Sequence, residues 1–252
     1  MRISKGYSAL IILIIMCIWE LIGRLHILPP PLFPPTSAVL TTLTRLITDT
    51  QFIIAYITTF RRVIFGFLLG IITGIVLGII LSYSETLRDS FYPIFAFLAV
   101  IPVIALLPLM MIWVGLNEAL PIFMVFLCSF IPVTFNTLSG IRSIDPEVVR
   151  VAKVLGASDI KLMYTVLLPL SLPSILSALK IEAAMAWKTC FVTEMLALSS
   201  GLGYYMLIAE STLRIDVLLA TIILLAISCY AFYLLFESIE NRVLSRWGYL
   251  LK

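Results

Sequence analysis

The sequence predicts an all-α, polytopic membrane protein with six transmembrane helices. Two observations carry this expectation. Of 252 residues, 62% are hydrophobic and only 12% are charged, well outside the make-up of a soluble domain. The charges are also clustered: none falls between Arg62 and Glu85, Asp89 and Glu118, Glu118 and Arg142, or Asp216 and Glu237. Each gap covers the roughly 20 residues that a helix needs to cross a bilayer. A β-barrel would need short segments of alternating polarity, which the sequence lacks. The formal net charge of +3 is too small to point to nucleic acid.

Arg2 and Lys5 precede an apolar run from Tyr7 to Trp19. No small-residue cleavage site follows it, so it reads as an uncleaved first span with its N-terminus in the cytoplasm. His26, the only histidine, falls at the end of that span, where an interfacial role is expected. The proline-dense stretch Pro29–Pro35 favours an extended connector, and Thr36 or Ser37 is placed to cap a surface helix reaching Asp49. Residues 1–55 are thereby set apart from a five-span core over residues 56–252.

Within the core, spans are expected at about Tyr56–Ser82, from Phe91 onward, and at Ala119–Leu138, Leu172–Leu196 and Val217–Phe236, with a polar turn over Ser84–Ser90. Gly66, Gly70, Gly74 and Gly78 recur every four residues, a smooth stripe that lets a neighbouring helix approach closely. Pro93, Pro102 and Pro108 point to a kinked or broken third span. Cys17, Cys128, Cys190 and Cys229 sit in apolar runs without paired spacing and read as small buried hydrophobes. One peripheral histidine leaves no Ser–His dyad at depth and no metal cluster is visible, which argues against an intramembrane protease.

Charges inside membrane segments are costly and usually face a cavity or a partner. The fifth span carries Lys180, Glu182, Lys188 and Glu194. Lys180 and Glu182 read as headgroup residues, whereas Lys188 and Glu194 lie deeper. Glu194 suits either an arginine partner or a gate. Arg61 and Arg62, at the start of the second span, either snorkel to the interface or face a translocation path and attract an anion.

The longest polar interruption runs from Gly140 to Pro173, GIRSIDPEVVRVAKVLGASDIKLMYTVLLPLSLP. Asp145 is suited to cap a helix and Pro146 to begin it. Val148, Val151, Ala152 and Leu155 fall on one helical face. Gly156 stands where a helix end wants positive φ. Ser158 is placed to cap a second helix running to about Leu167, and Pro169 and Pro173 are expected to break the chain beyond it.

This stretch, about residues 140–170, resembles the cytoplasmic coupling loop of ABC-importer permeases. Their pattern is Glu-Ala-Ala, three residues, Gly, and then a Leu-Pro-like end. Ala152, Gly156, Ala157, Leu168 and Pro169 match it, while Arg150 stands where the Glu is expected and Val151 where the first Ala is. Further resemblances are Thr59–Phe67, Ile101–Leu109 around Pro102, Trp187 followed seven residues on by Glu194-Met195-Leu196, and Ser200-Gly201-Leu202-Gly203-Tyr204. Together they cover about residues 28–248 and are similar to the nitrate, sulfonate and taurine branch of the MetI-like, type I permeases. The resemblance implies a subunit of the cell inner membrane that moves a small solute by ATP-driven alternating access. It implies a homodimer, two ABC ATPase subunits that hold ATP-Mg, and a solute-binding protein outside; the chain itself has no Walker A sequence and needs no cofactor. The coupling set is then Asp145, Arg150, Ala152, Gly156, Ala157, Ser158, Leu168 and Pro169. The pathway set is Arg61, Arg62, Pro102, Trp187, Lys188 and Glu194. An anion fits these cations, although relatives also carry uncharged vitamin precursors of the thiamine-pyrimidine or riboflavin type. An ion-coupled secondary transporter is the rival of another class; it would usually show internal repeats, and none is visible.

Overall fold

The computed structural model describes residues 5–25 and 32–246 and is helical throughout, with no strand among those residues. His26, Pro29 to Pro31, Arg2 and the chain end at Lys252 lie outside the described residues. Helix α1 spans Lys5–Arg24, α2 Thr36–Thr48, α3 Thr50–Ser82 and α4 Glu85–Val100. A 3-10 turn over Val103–Leu106 leads into α5, Leu107–Trp113, and then α6, Ala119–Arg142. Two short helices, α7 (Pro146–Val154) and α8 (Asp159–Leu162), precede a π-helical turn over Met163–Leu167 and the long α9, Leu168–Ala197. Helices α10, Leu202–Ser211, and α11, Ile215–Arg246, complete the chain.

Among the described residues four segments are long and apolar enough to cross a membrane: α3, α6, the run from α8 through α9, and α11. The α4 and α5 segments make a fifth if the pair, bent by 85°, is one span. The break falls at Ile101-Pro102, where both residues are extended. Pro102 has no N–H to continue the helix, and a residue before proline is pushed out of the helical region. Pro93 sits inside α4 without ending it. The polar turn expected over Ser84–Ser90 is instead the first turns of α4: Ser84 is extended, and Glu85 occupies the first turn, where a carboxylate suits the helix dipole.

The core is built on α3, α6 and α9. A side-chain carbon at Gly66 would lie 2.5 Å from the Ile122 carbonyl oxygen, one at Gly70 2.8 Å from that of Phe126, and one at Gly74 3.0 Å from that of Phe130. The glycine stripe is thus the surface on which the backbone of α6 rests. Val63, Phe67, Val125, Ala183, Ala186, Trp187 and Cys190 pack where α3, α6 and α9 meet.

Four expectations are corrected by packing. Neither Pro169 nor Pro173 breaks the chain, because Pro169 occupies the first turn of α9 and Pro173 lies within it. Across the π turn just before, the Leu168 amide donates to the Met163 carbonyl, so α8 runs on into α9. Thr36 and Ser37 do not cap α2 with their own side chains; Glu20 of α1 accepts from the Ser37 amide and hydroxyl, each at 2.9 Å. Cys17 is exposed, unlike the other three cysteines, because α1 packs on α2 near Trp19 and Gly23 and leaves the rest of its surface open. Glu182 is buried against α6, accepting from the Cys128 thiol at 3.7 Å, and is not a headgroup residue.

Candidate functional site

The end of the bundle that carries α7 and α8 is organised by backbone chemistry. The Asp145 carboxylate accepts from the Glu147 amide at 2.8 Å, and Pro146 begins α7. The helix stops in a double closure: the Gly156 amide donates to the Lys153 carbonyl at 3.0 Å and the Ala157 amide to the Ala152 carbonyl at 3.1 Å. This pattern needs a left-handed residue at its centre, and Gly156 has φ +84°. It also brings Ala152 and Ala157 together on a common core of Ile141, Leu162, Met163 and Leu167. Small side chains at 152 and 157 let the turn close over that core. Ser158 then caps α8 through the Lys161 amide. Leu168 is half-buried and Pro169 buried at the start of α9.

The apolar face of α7 does not turn inward as a whole. Ala152 and Val149 pack on the core, but Val148, Val151, Val154 and Leu155 are exposed, the last two by more than four-fifths. Ile160 and Tyr164, in the segment that follows, are exposed as well. A Cβ added at Gly156 would meet nothing within 4 Å, so the glycine opens onto the same exposed face. Arg150 is exposed at its edge.

At the opposite end, Arg62 and Glu194 are fully buried and paired, with Nη1 2.7 Å from Oε1. All five guanidinium donors are used. They go to Glu194, to both oxygens of Glu118, and to the carbonyl and hydroxyl of Ser200. Glu194 also accepts from the Thr59 hydroxyl at 2.8 Å and the Gly203 amide at 3.1 Å. The Ser200–Gly203 turn therefore wraps the chain's own carboxylate. Gly201, at φ +95°, and Gly203 have no room for a Cβ, which would strike the Glu194 side chain or the Phe191 carbonyl. The Arg62 guanidinium holds the Glu118 carboxyl below its ordinary range. Arg61 lies 3.6 Å from the same carboxylate.

The pathway set is thus divided. Arg61, Arg62 and Glu194 come together in one cluster. Trp187 is 1% exposed and packs among Tyr56, Phe60 and Phe232. Pro102 is exposed at the bend after α4. Lys188 is exposed on another side, in a groove of about 520 Å³ between α9 and α11 lined by Cys229, Tyr230 and Tyr233. It has no ion-pair or hydrogen-bond partner among the described residues. Lys180 instead reaches Glu240 of α11 at 2.5 Å. Sequence reasoning missed Thr59, Glu118 and Glu240 as partners. Glu118 had one signal, its isolation between two long uncharged stretches.

A family model described as the binding-protein-dependent transport system inner membrane component matches residues 66–245. The match takes in the glycine stripe, both short loop helices and the Glu194 turn. The chain belongs to this family. The permease is 30% identical over 235 residues to the taurine transport system permease protein of Escherichia coli, covering 91% of this chain and 86% of the relative. It is 34% identical over 215 residues to a putative ABC transporter permease of Methanocaldococcus jannaschii, covering 83% and 80%. A putative aliphatic sulfonates transport permease of Bacillus subtilis is 30% identical over 214 residues, with 85% and 78% covered. Among solved structures, a bacterial alginate ABC transporter in complex with an alginate pentasaccharide-bound periplasmic protein matches with a TM-score of 0.64 at 20% identity, covering 96% of this chain and 98% of that one. The inward-facing MetNI methionine ABC transporter matches with a TM-score of 0.57 at 20% identity, covering 74% and 91%. At these identities the structures speak for the fold, which is that of ABC importer permeases.

Proposed function

We propose that this permease imports a small anion of the taurine or sulfonate type by ATP-driven alternating access. Two copies form the channel, an ABC ATPase docks on the loop of each, and a solute-binding protein delivers cargo on the far side. ATP-Mg is held by the ATPases alone. The single observation that carries the coupling role is the loop: a helix, a left-handed Gly156 and a second helix present an apolar surface that none of the described residues covers. Because α8 runs through the π turn into α9, a push on the loop is passed along one rod. That rod, 39 residues from Asp159 to Ala197, is about 58 Å long at 1.5 Å per residue and ends at the Glu194 cluster.

Six spans follow if α1 and the bent α4–α5 pair each cross. The loop end then faces the cytoplasm, together with both chain termini. It collects Arg88, Arg142, Arg150, Lys153, Lys161, Arg242 and Arg246, against Arg24, Arg45, Arg61, Arg62 and Arg214 at the other end, a bias that supports this orientation. The taurine and sulfonate relatives favour an anionic cargo. Arg62 is spent on Glu118 and Glu194, so Lys188 is the cation we assign to the path. A lysine this far along α9 is costly beside lipid, and a second copy across the groove relieves that cost.

Co-purification of the permease with candidate ABC ATPases tests the coupling role, comparing the natural chain with Gly156→Asp. Aspartate tolerates positive φ better than most residues, so the variant stays folded while its side chain projects into the docking face. The expected result is loss of the ATPase by the variant alone. A natural permease that binds no ATPase sinks the reading in favour of an ion-coupled transporter. Uptake of labelled taurine and alkanesulfonates by the reconstituted complex then tests the cargo, and transport of an uncharged vitamin precursor instead overturns the anion assignment.

A further inference from the structure

Arg150 lines a cleft of about 470 Å³ between the α3–α4 turn and the loop helices, beside the exposed apolar face of α7. Four cations line this cleft, Arg88, Arg142, Arg150 and Lys153, against two carboxylates, Glu85 and Asp159. Three of the four cations are already engaged. Arg88 and Arg142 both reach Asp89, at 3.4 and 3.6 Å, and Arg142 also stacks over the Tyr92 ring at 4.3 Å. Lys153 lies 3.8 Å from Asp159. Arg150 alone of the four has no acceptor among the described residues. Glu85 lies in the first turn of α4, where it serves that helix end.

We propose that the ATPase partner of this permease places a carboxylate in this cleft, on Arg150. The inference rests on the reading of the loop as an ATPase dock and adds the chemistry of what docks. A docked surface excludes water from the cleft mouth, and a guanidinium covered without a partner is costly. Its planar fork favours a carboxylate accepting two hydrogen bonds over any neutral group. A basic side chain opposite it would be repelled by the cleft's excess of positive charge. This part of the dock thus does more than hold: it selects, because an ATPase shaped for a loop with a glutamate at this position meets the wrong sign.

The test measures the affinity of the detergent-purified permease for its ATPase as a function of salt, for the natural chain, Arg150→Glu and Arg150→Lys. Arg150→Glu is expected to weaken binding at least about tenfold and to remove part of the salt dependence, while Arg150→Lys, which keeps the charge but loses the fork, falls between it and the natural chain. Reversing one acidic residue of the ATPase surface to lysine is expected to restore binding to Arg150→Glu and weaken it to the natural chain. Equal or tighter binding by Arg150→Glu, with an unchanged elution profile, overturns the proposal and leaves the loop's docking role standing. Absence of binding by the natural chain overturns the docking role itself, and this inference with it.

Discussion

Arg62 shows what a buried charge demands. Its five donors meet five acceptors drawn from Glu118 just before α6, from α9 and from the turn after α9. Lysine has a single point of charge and no planar fork, so Arg62→Lys is not a mild change here. Arg62→Leu leaves Glu194 buried without its counter-charge, a loss of about 3–5 kcal/mol. The double variant Arg62→Leu/Glu194→Leu is expected to recover much of it, because an apolar pair of similar volume replaces a buried ion pair at little cost. Thermal unfolding of the purified protein in detergent measures both; equal losses in the single and double variants would contradict the pairing account. The depressed Glu118 carboxyl sets a pH window. Its contribution is complete above the unfolded-state value and disappears as pH falls through the lower folded-state value. The Glu118 part of the stability is therefore expected to fall as pH drops from the ordinary carboxylate value towards the lower folded-state value, and to be absent in Glu118→Gln.

Among the elements, α3 depends on what it lacks. Its glycines bring carbonyl oxygens of α6 within 2.5 to 3.0 Å of where a Cβ would stand. Gly70→Leu is expected to prise the two helices apart and abolish recovery of folded protein from membranes, whereas the lipid-side change Leu69→Ala, at an exposed position, leaves recovery intact. The Ser200–Gly203 turn is similar in kind. Gly201→Ala meets both a positive φ and the Glu194 carboxylate, so it is expected to lower the unfolding temperature even though the alanine is small. A stability equal to the natural chain would mean that the turn moves away from Glu194 freely.

At the scale of the molecule, α9 is the element that everything else reads. It starts at the loop core, passes α3, α6 and α11, and ends in the Glu194 cluster. Motion of the loop therefore has a rigid route to the far end without an intermediate hinge. A kink introduced midway along α9 by Ala184→Pro is expected to reduce transport more than ATPase docking. Uptake and co-purification measured on the same preparation separate the two.

Much of this was legible in the sequence. Uncharged gaps marked the long helices, because a bilayer tolerates few charges along a span. Asp145, Pro146, Gly156 and Ser158 announced the loop, because helix ends are governed by local backbone needs that a few residue types meet. The glycine spacing announced a close neighbour but not that the neighbour is α6. The tertiary structure alone decided which charges meet. Arg62, Glu118 and Glu194 are separated by 56 and 76 residues in the chain, and their pairing depends on the rotation of three helices about their axes. Periodicity likewise put Val148, Val151 and Leu155 on one face, yet only packing determined that this face looks outward. The side that α7 buries is set by the shape of the Ile141–Leu162–Met163–Leu167 core beneath it, and no local rule carries that information.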